Sequence, residues 1–286
     1  GTDAVRIGMK NERLRVASEL QRYQRGATLL LRESTERVLN SDLEEKKTLE
    51  ELPNTIKTVF DTYTDFKTCV TKSNSTTTEY VDDFIFTNPA GSFFQNNNSI
   101  LTTFTQYIRE HILSPTDSGV AHDPPKLKYL IDAYCGSGLF TITLSSQFSS
   151  SIGIDIAGAS IEYARKNAAL NKVPSDRASF IAADAPELFK SVTYPADETV
   201  VIIDPPRKGC DESFLNQLLR FGPKRVVYVS CNVHTQARDV GILVNGKHGL
   251  AYKIESLTGF DFFPQTSHVE GVAVLSKVDV AATIQE

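Results

Sequence analysis

Cysteine is scarce: Cys69, Cys135, Cys210 and Cys231 are the only four in 286 residues, and no pair is spaced CxxC. Neither a zinc site nor the disulfide framework of a small secreted domain fits that pattern, so no metal is expected and the thiols are expected to be reduced. No apolar run approaches the roughly 20 residues that cross a bilayer, and the amino terminus lacks the basic, apolar and small-residue zones of a signal peptide. The chain therefore reads as soluble and intracellular, with no membrane contact and a monomer expected; the residues do not specify a compartment. Positive charge is also short, with 30 Lys and Arg against 35 Asp and Glu for a net −5. That argues against nucleic-acid binding by the whole surface and leaves room for a local basic groove. A start at Gly1 rather than methionine reads as a cut or processed end with a preceding domain missing.

What is present divides unevenly. Val5-Arg-Ile looks like a short strand, and Gly26 punctuates a second apolar strand, Ala27-Thr-Leu-Leu-Leu-Arg32. Arg22, Arg25 and Arg32 could track phosphates or simply decorate a solvated face. A helix from Asp42, broken at Pro53, leads to a loop or strand ending near Phe66. The polar run Thr71 to Thr78 reads as a loop, Tyr80 to Phe86 as one strand, and Asn88-Pro-Ala-Gly91 as a turn. Residues 1–95 thus form a small α+β or antiparallel module. Phe93 and Phe94 are expected in its core. Beyond Gln95 and the following asparagines, apolar residues at 100, 101, 104, 107, 108 and 112 define one helix face. Three prolines and one glycine between 114 and 125 make a linker, so 96–126 is a connecting segment and 127–286 the main domain.

From 127 the pattern becomes regular. Apolar strands near 127–133, 151–156, 178–182, 199–203 and 225–230 alternate with helical segments such as 161–170, and a closing pair follows near 252–258 and 270–277. Such alternation specifies an α/β fold built on a mostly parallel, Rossmann-like sheet. Ligands of such sheets sit beyond the carboxyl ends of the strands, where this chain places its reactive residues. Gly136 and Gly138 open a turn that a nucleotide-like ligand can approach, but Thr141 stands where a dinucleotide fingerprint wants a third glycine. Asp155 ends the second strand, suited to ribose hydroxyls, and Asp184 follows the third, within reach of an adenine amino group. Asp204-Pro-Pro-Arg207 ends the fourth and Ser230-Cys-Asn232 the fifth. In that order they look like a class I S-adenosylmethionine-dependent methyltransferase. A cysteine beside Asp-Pro-Pro, in place of the Asn-Pro-Pro-aromatic of amine methylases, suggests methylation of a pyrimidine carbon.

Phe93-Phe-Gln-Asn96, Asp132-Ala-Tyr-Cys-Gly-Ser-Gly138, Asp204-Pro-Pro-Arg-Lys-Gly209, Ser230-Cys-Asn232 and His268-Val-Glu-Gly-Val272 together resemble the TrmA-type RNA uracil-5-methyltransferases, the fungal tRNA members among them. The resemblance covers about residues 90 to 277. It implies that Cys231 is the nucleophile and Glu270 the base, that Gln95, Tyr134, Asp155 and Asp204 contact cofactor or target base, and that S-adenosylmethionine and tRNA are the substrates. The expected target is the T-loop uridine at position 54. Arg207 is a candidate to stabilise the thiolate or touch RNA, and Phe93 or Phe263 could stack on an extruded base. His268 and Cys135 are expected to be structural. Two alternatives are a ribosomal-RNA uracil methyltransferase and a catalytically idle RNA-folding protein of the same fold.

Overall fold

In a computed structural model the structure describes residues 2–49, 54–95, 97–113, 127–184, 189, 192–247 and 249–279. Pro53, Asn96 and the linker expected at 114–125 lie outside them. The chain forms two compact units, Gly1–Phe94 and Gln95–Glu286.

The first unit opens with a helix, α1 (Asp3–Ser18), where a strand at Val5-Arg-Ile was expected. Three apolar residues were too few to decide. Thr2 caps the helix through the Val5 amide, Asp3 favours its positive end, and Arg6–Asp3 and Arg15–Glu12 pair one turn apart. The second expected strand is also displaced. Ala27 to Leu31 have no regular structure, and β1 (Arg32–Leu39) begins at Arg32. Its partner β3 (Tyr63–Val70) ends at Val70, opposite Arg32, so nothing remains for the earlier residues to pair with. Strand β2 (Ile56–Val59) completes this antiparallel sheet. A separate hairpin joins β4 (Thr76–Val81) to β5 (Phe84–Pro89). The single strand expected over 80–86 is therefore two, turned at Asp82, whose φ of 53 an aspartate tolerates better than most residues. Arg22 and Arg32 are ion-paired to Glu19 and Glu79. Phe94 is buried as expected, whereas Phe93 is 75% exposed, its core assignment overturned.

The second unit begins with α2 (Asn98–Leu113), whose Leu101, Phe104, Ile108 and Ile112 are buried at helical spacing. Then follow β6 (Tyr129–Ala133), the short α3 (Leu139–Thr143), β7 (Ser150–Asp155), α4 (Gly158–Leu170), β8 (Ala178–Ala182), β9 (Thr199–Ile203), α5 (Glu212–Phe221), β10 (Arg225–Ser230), α6 (Val233–Asn245), β11 (Leu250–Phe260) and β12 (Glu270–Asp279). Every strand read from the sequence beyond residue 126 is there. They make a seven-stranded sheet in the order β11-β12-β10-β9-β6-β7-β8. Pairing from β10 through β8 is parallel, while β12 runs antiparallel to both β10 and β11. The central strands are apolar on both faces because helices cover both. One face buries Ile131, Val201, Val226 and Leu275 with Phe214 and Leu218 of α5 and Leu243 of α6. On α2, Phe104 meets the rings of Phe140, Phe260 and Phe262.

Candidate active site

Strand order decides what shares the carboxyl edge of the sheet. The chain leaves β6 toward β7 and β8 on one side and returns through β9 and β10 on the other, so the crevice opens between β6 and β9. Ala133 pairs with Ile154 and Ile203, which brings Tyr134, Asp155 and Asp204 abreast one residue later. Ser230 pairs with Gly271 where β10 ends and β12 begins. Because those strands are antiparallel, continuing the register sets Cys231 beside Glu270, residues 39 positions apart in sequence.

Electrostatics tie the same residues together. Glu270 is buried, and loss of hydration pushes its carboxyl up to about 7. Asp204 is raised well above the ordinary carboxylate range, first by burial and then by the charges of Glu270 and Asp132. The half-buried Cys231 thiol is raised by burial and by Glu270; the nearby Arg207 guanidinium pulls the other way. A thiol, a cation that favours its ionised form and two carboxyls with raised pKa values thus share one end of the sheet.

On the other side of the crevice, Asp132 is fully buried and its pKa is pushed up to about 7, chiefly by burial. Its Oδ2 accepts from the Thr141 amide at 2.9 Å and hydroxyl at 2.6 Å. Its Oδ1 has no hydrogen-bond partner among the described residues. Asp155 accepts from the Gly136 amide at 3.0 Å and the Ala157 amide at 2.8 Å, leaving each oxygen a lone pair. Asp184 is exposed and lies close enough to Tyr134 to affect its hydroxyl, which is raised mainly by burial.

The two glycines of the turn do different work. Gly136 (φ 53) has open space where a Cβ would project, so a ligand can approach its backbone. At Gly138 (φ 92) a Cβ would crowd Ile142 at 3.0 Å and Phe180 at 3.1 Å. Gly138→Ala is expected to cost about 2–4 kcal/mol, from left-handed backbone strain plus overpacking, against about 1–2 kcal/mol for Gly136→Ala. Urea denaturation of the two variants measures the difference.

The remaining expected residues are more scattered. Gln95 is buried just ahead of α2, and no described contact joins it to the carboxyls. Phe93 belongs to the first unit. Phe263 is half-buried on the loop leading into Glu270, edge-on to exposed His268 at 6.1 Å. Cys135 packs at the turn, where a Cβ on Gly153 would meet its sulfur at 3.0 Å. Sequence reasoning missed a buried network beneath the site. Asp239 Oδ2 accepts from the Tyr228 hydroxyl at 2.6 Å and the Cys210 amide at 2.8 Å, and the Cys210 thiol, pushed up to about 12 by burial, lies between the Tyr228 and Tyr134 hydroxyls. The available signal was Gln236 and Asp239 standing at i and i+3 among Val240 and Leu243, on the face of α6 that is buried.

A mostly parallel sheet of this order, flanked by helices and with an acid and glycine turn after β6, is the fold of the S-adenosylmethionine-dependent methyltransferases. The family model for tRNA (uracil-5-)-methyltransferase matches residues 66–278, and the chain belongs to that family. It is 44% identical over 293 residues to the tRNA (uracil(54)-C(5))-methyltransferase of Saccharomyces cerevisiae, covering 97% of this chain. It is 46% identical over 264 residues to that of Schizosaccharomyces pombe, covering 92%. The chain spans 44% of the length of each of these curated relatives. Among solved structures, Pyrococcus abyssi tRNA (uracil-54, C5)-methyltransferase in complex with S-adenosyl-L-homocysteine superposes with a TM-score of 0.57 at 32% identity, over 76% of this chain and 48% of that one. No helix among the described residues is long and apolar enough to cross a membrane.

Proposed function

We propose that this protein methylates carbon 5 of a uracil in tRNA, at the T-loop uridine 54 named for its relatives. The observation that carries the reading is that Cys231 and Glu270 flank the last paired residues of β10 and β12, Ser230 and Gly271, close enough for Glu270 to act on the thiol electrostatically. The crevice fits S-adenosylmethionine: Tyr134, Gly136, Gly138, Asp155 and Asp184 would hold it, with open space at Gly136 where a ligand can approach the backbone and a free lone pair on each Asp155 oxygen. When bound, S-adenosylmethionine supplies an electrophilic methyl group on a sulfonium.

The chain's residues do the rest. Carbon 5 of uracil is a weak nucleophile. Addition of the Cys231 thiolate to carbon 6 makes carbon 5 an enolate carbon able to take the methyl group. Glu270 then removes the carbon 5 proton, the C–H electron pair restores the 5,6 double bond, and the sulfur leaves as thiolate. Arg207 favours that thiolate at both ends of the cycle. Asp204, whose carboxyl burial and the neighbouring Glu270 raise, would in its protonated form offer one O–H donor and one carbonyl acceptor, complementary to the O4 and N3–H of a uracil.

Methyl transfer from labelled S-adenosylmethionine to tRNA and to ribosomal RNA, followed by mapping of the methylated uridine, tests the proposal. Modification of tRNA position 54 is expected; label only in ribosomal RNA, or none in either, overturns it. The pH profile is a second part of the same experiment. Adduct formation needs a thiolate whose pKa exceeds the ordinary 9.0, so single-turnover methyl transfer should rise with pH throughout the neutral range. Product release needs ionised Glu270 and should level off above about 7.

A further inference from the structure

Helix α6 follows Cys231 directly, and the polar side chains of its first two turns hold the segments that carry the site. Its cap Asn232 donates Nδ2 to the Arg207 carbonyl at 2.9 Å, and Thr235 donates its hydroxyl to the same carbonyl at 3.2 Å. Arg238 donates to the Lys208 carbonyl at 3.0 Å. The least expected of these residues is Gln236. It is 3% exposed, and its Nε2 donates both to the Tyr228 carbonyl on β10 at 2.9 Å and to the Gly271 carbonyl on β12 at 3.0 Å. One amide group therefore bridges the strand that delivers Cys231 and the strand that delivers Glu270, next to Glu270 itself. The fit is close enough that a Cβ on Gly271 would overlap the Gln236 Oε1.

We infer that Gln236 is a positioning residue that sets the spacing between Cys231 and Glu270, and so governs removal of the carbon 5 proton from the methylated adduct. The inference rests on the proposed uracil methylation. Addition of the thiolate draws on Cys231, the Arg207 that favours its ionised form and the substrate, and does not need Glu270. Elimination needs Glu270 to reach a proton on the same ring that Cys231 holds, so a small displacement of β12 against β10 falls on that second step. A merely structural glutamine would affect both steps alike.

The test is Gln236→Met, which keeps the side chain's length and loses the amide. Labelled methyl transfer in a single turnover is measured alongside the covalent protein–RNA adduct surviving on a denaturing gel, with Glu270→Gln as the reference. The expected result is methyl transfer close to wild type, release slowed by about 100-fold and adduct accumulating. Equal losses in both steps, or release at the wild-type rate, would overturn the inference. Where Gln236→Met fails to fold, the double variant Gln236→Ala/Gly271→Ala decides, because it removes the amide and the overlap together; wild-type release from it is equally fatal. Adduct in Glu270→Gln but in neither Gln236 variant sinks the role of Gln236 alone. Adduct in none sinks the uracil chemistry beneath it.

Discussion

Cys231→Ala is expected to abolish methyl transfer, by about 10^4-fold or more, while leaving S-adenosylmethionine affinity unchanged. The size follows from the substrate. Without addition at carbon 6 the uracil has no nucleophilic carbon, and positioning cannot replace a missing electron pair. The side chain is half-buried at the end of β10 and is one of the groups whose loss leaves no buried partner uncompensated. Arg207, the cation beside it, is exposed to water. Folding should therefore survive, and a calorimetric titration with the cofactor establishes that the crevice is intact. Methylation within about tenfold of wild type would remove the covalent mechanism, since even one kcal/mol-scale contact accounts for that much. The surroundings favour the thiolate more than its raised pKa suggests. Glu270 opposes it only when ionised, and its carboxyl, pushed up to about 7, is only partly ionised at neutral pH.

Much of this was legible in the sequence because parallel strands covered on both faces must be apolar along their whole length. Val200 to Ile203 and Val226 to Val229 are unbroken apolar runs, and each ends abruptly in chemistry. The partnership of Cys231 with Glu270 was not legible from spacing. It depends on β12 entering antiparallel to β10 with Ser230 opposite Gly271, a register that two apolar runs do not disclose. The first unit misled for the opposite reason. Val5-Arg-Ile is apolar for only three residues, and the helix around it is held by caps and charge pairs rather than by a broad apolar face, with Ala4 and Gly8 its buried residues. Gln236 and Asp239 were overlooked because polar residues on a helix are ordinarily solvated. Here the groups they satisfy are backbone carbonyls, an amide and a tyrosine hydroxyl contributed by other elements.

Glu270→Gln is expected to have two large effects that a surface acid could not produce. In catalysis, thiolate addition and methylation proceed, but the carbon 5 proton has no base to receive it. The protein should accumulate as a methylated covalent adduct with RNA and turnover should fall by about 10^2–10^4-fold. In stability the sign is opposite. Folding raises the pKa of Glu270 to about 7 from an ordinary 4.5. Between those values the folded state holds a proton that the unfolded state has released, so wild-type stability is highest below 4.5 and declines as pH rises toward 7. The full loss is about 3 kcal/mol, from 1.36 kcal/mol per pKa unit. A glutamine amide does not titrate. The variant should therefore match wild type near about pH 5 and melt at a higher temperature near about pH 8, the gap opening between them. A variant that turns over without adduct would show that another group takes the proton. A melting difference that does not grow with pH would show that Glu270 is solvated and ionised in the folded protein, leaving it no reason to be a base poised near neutrality.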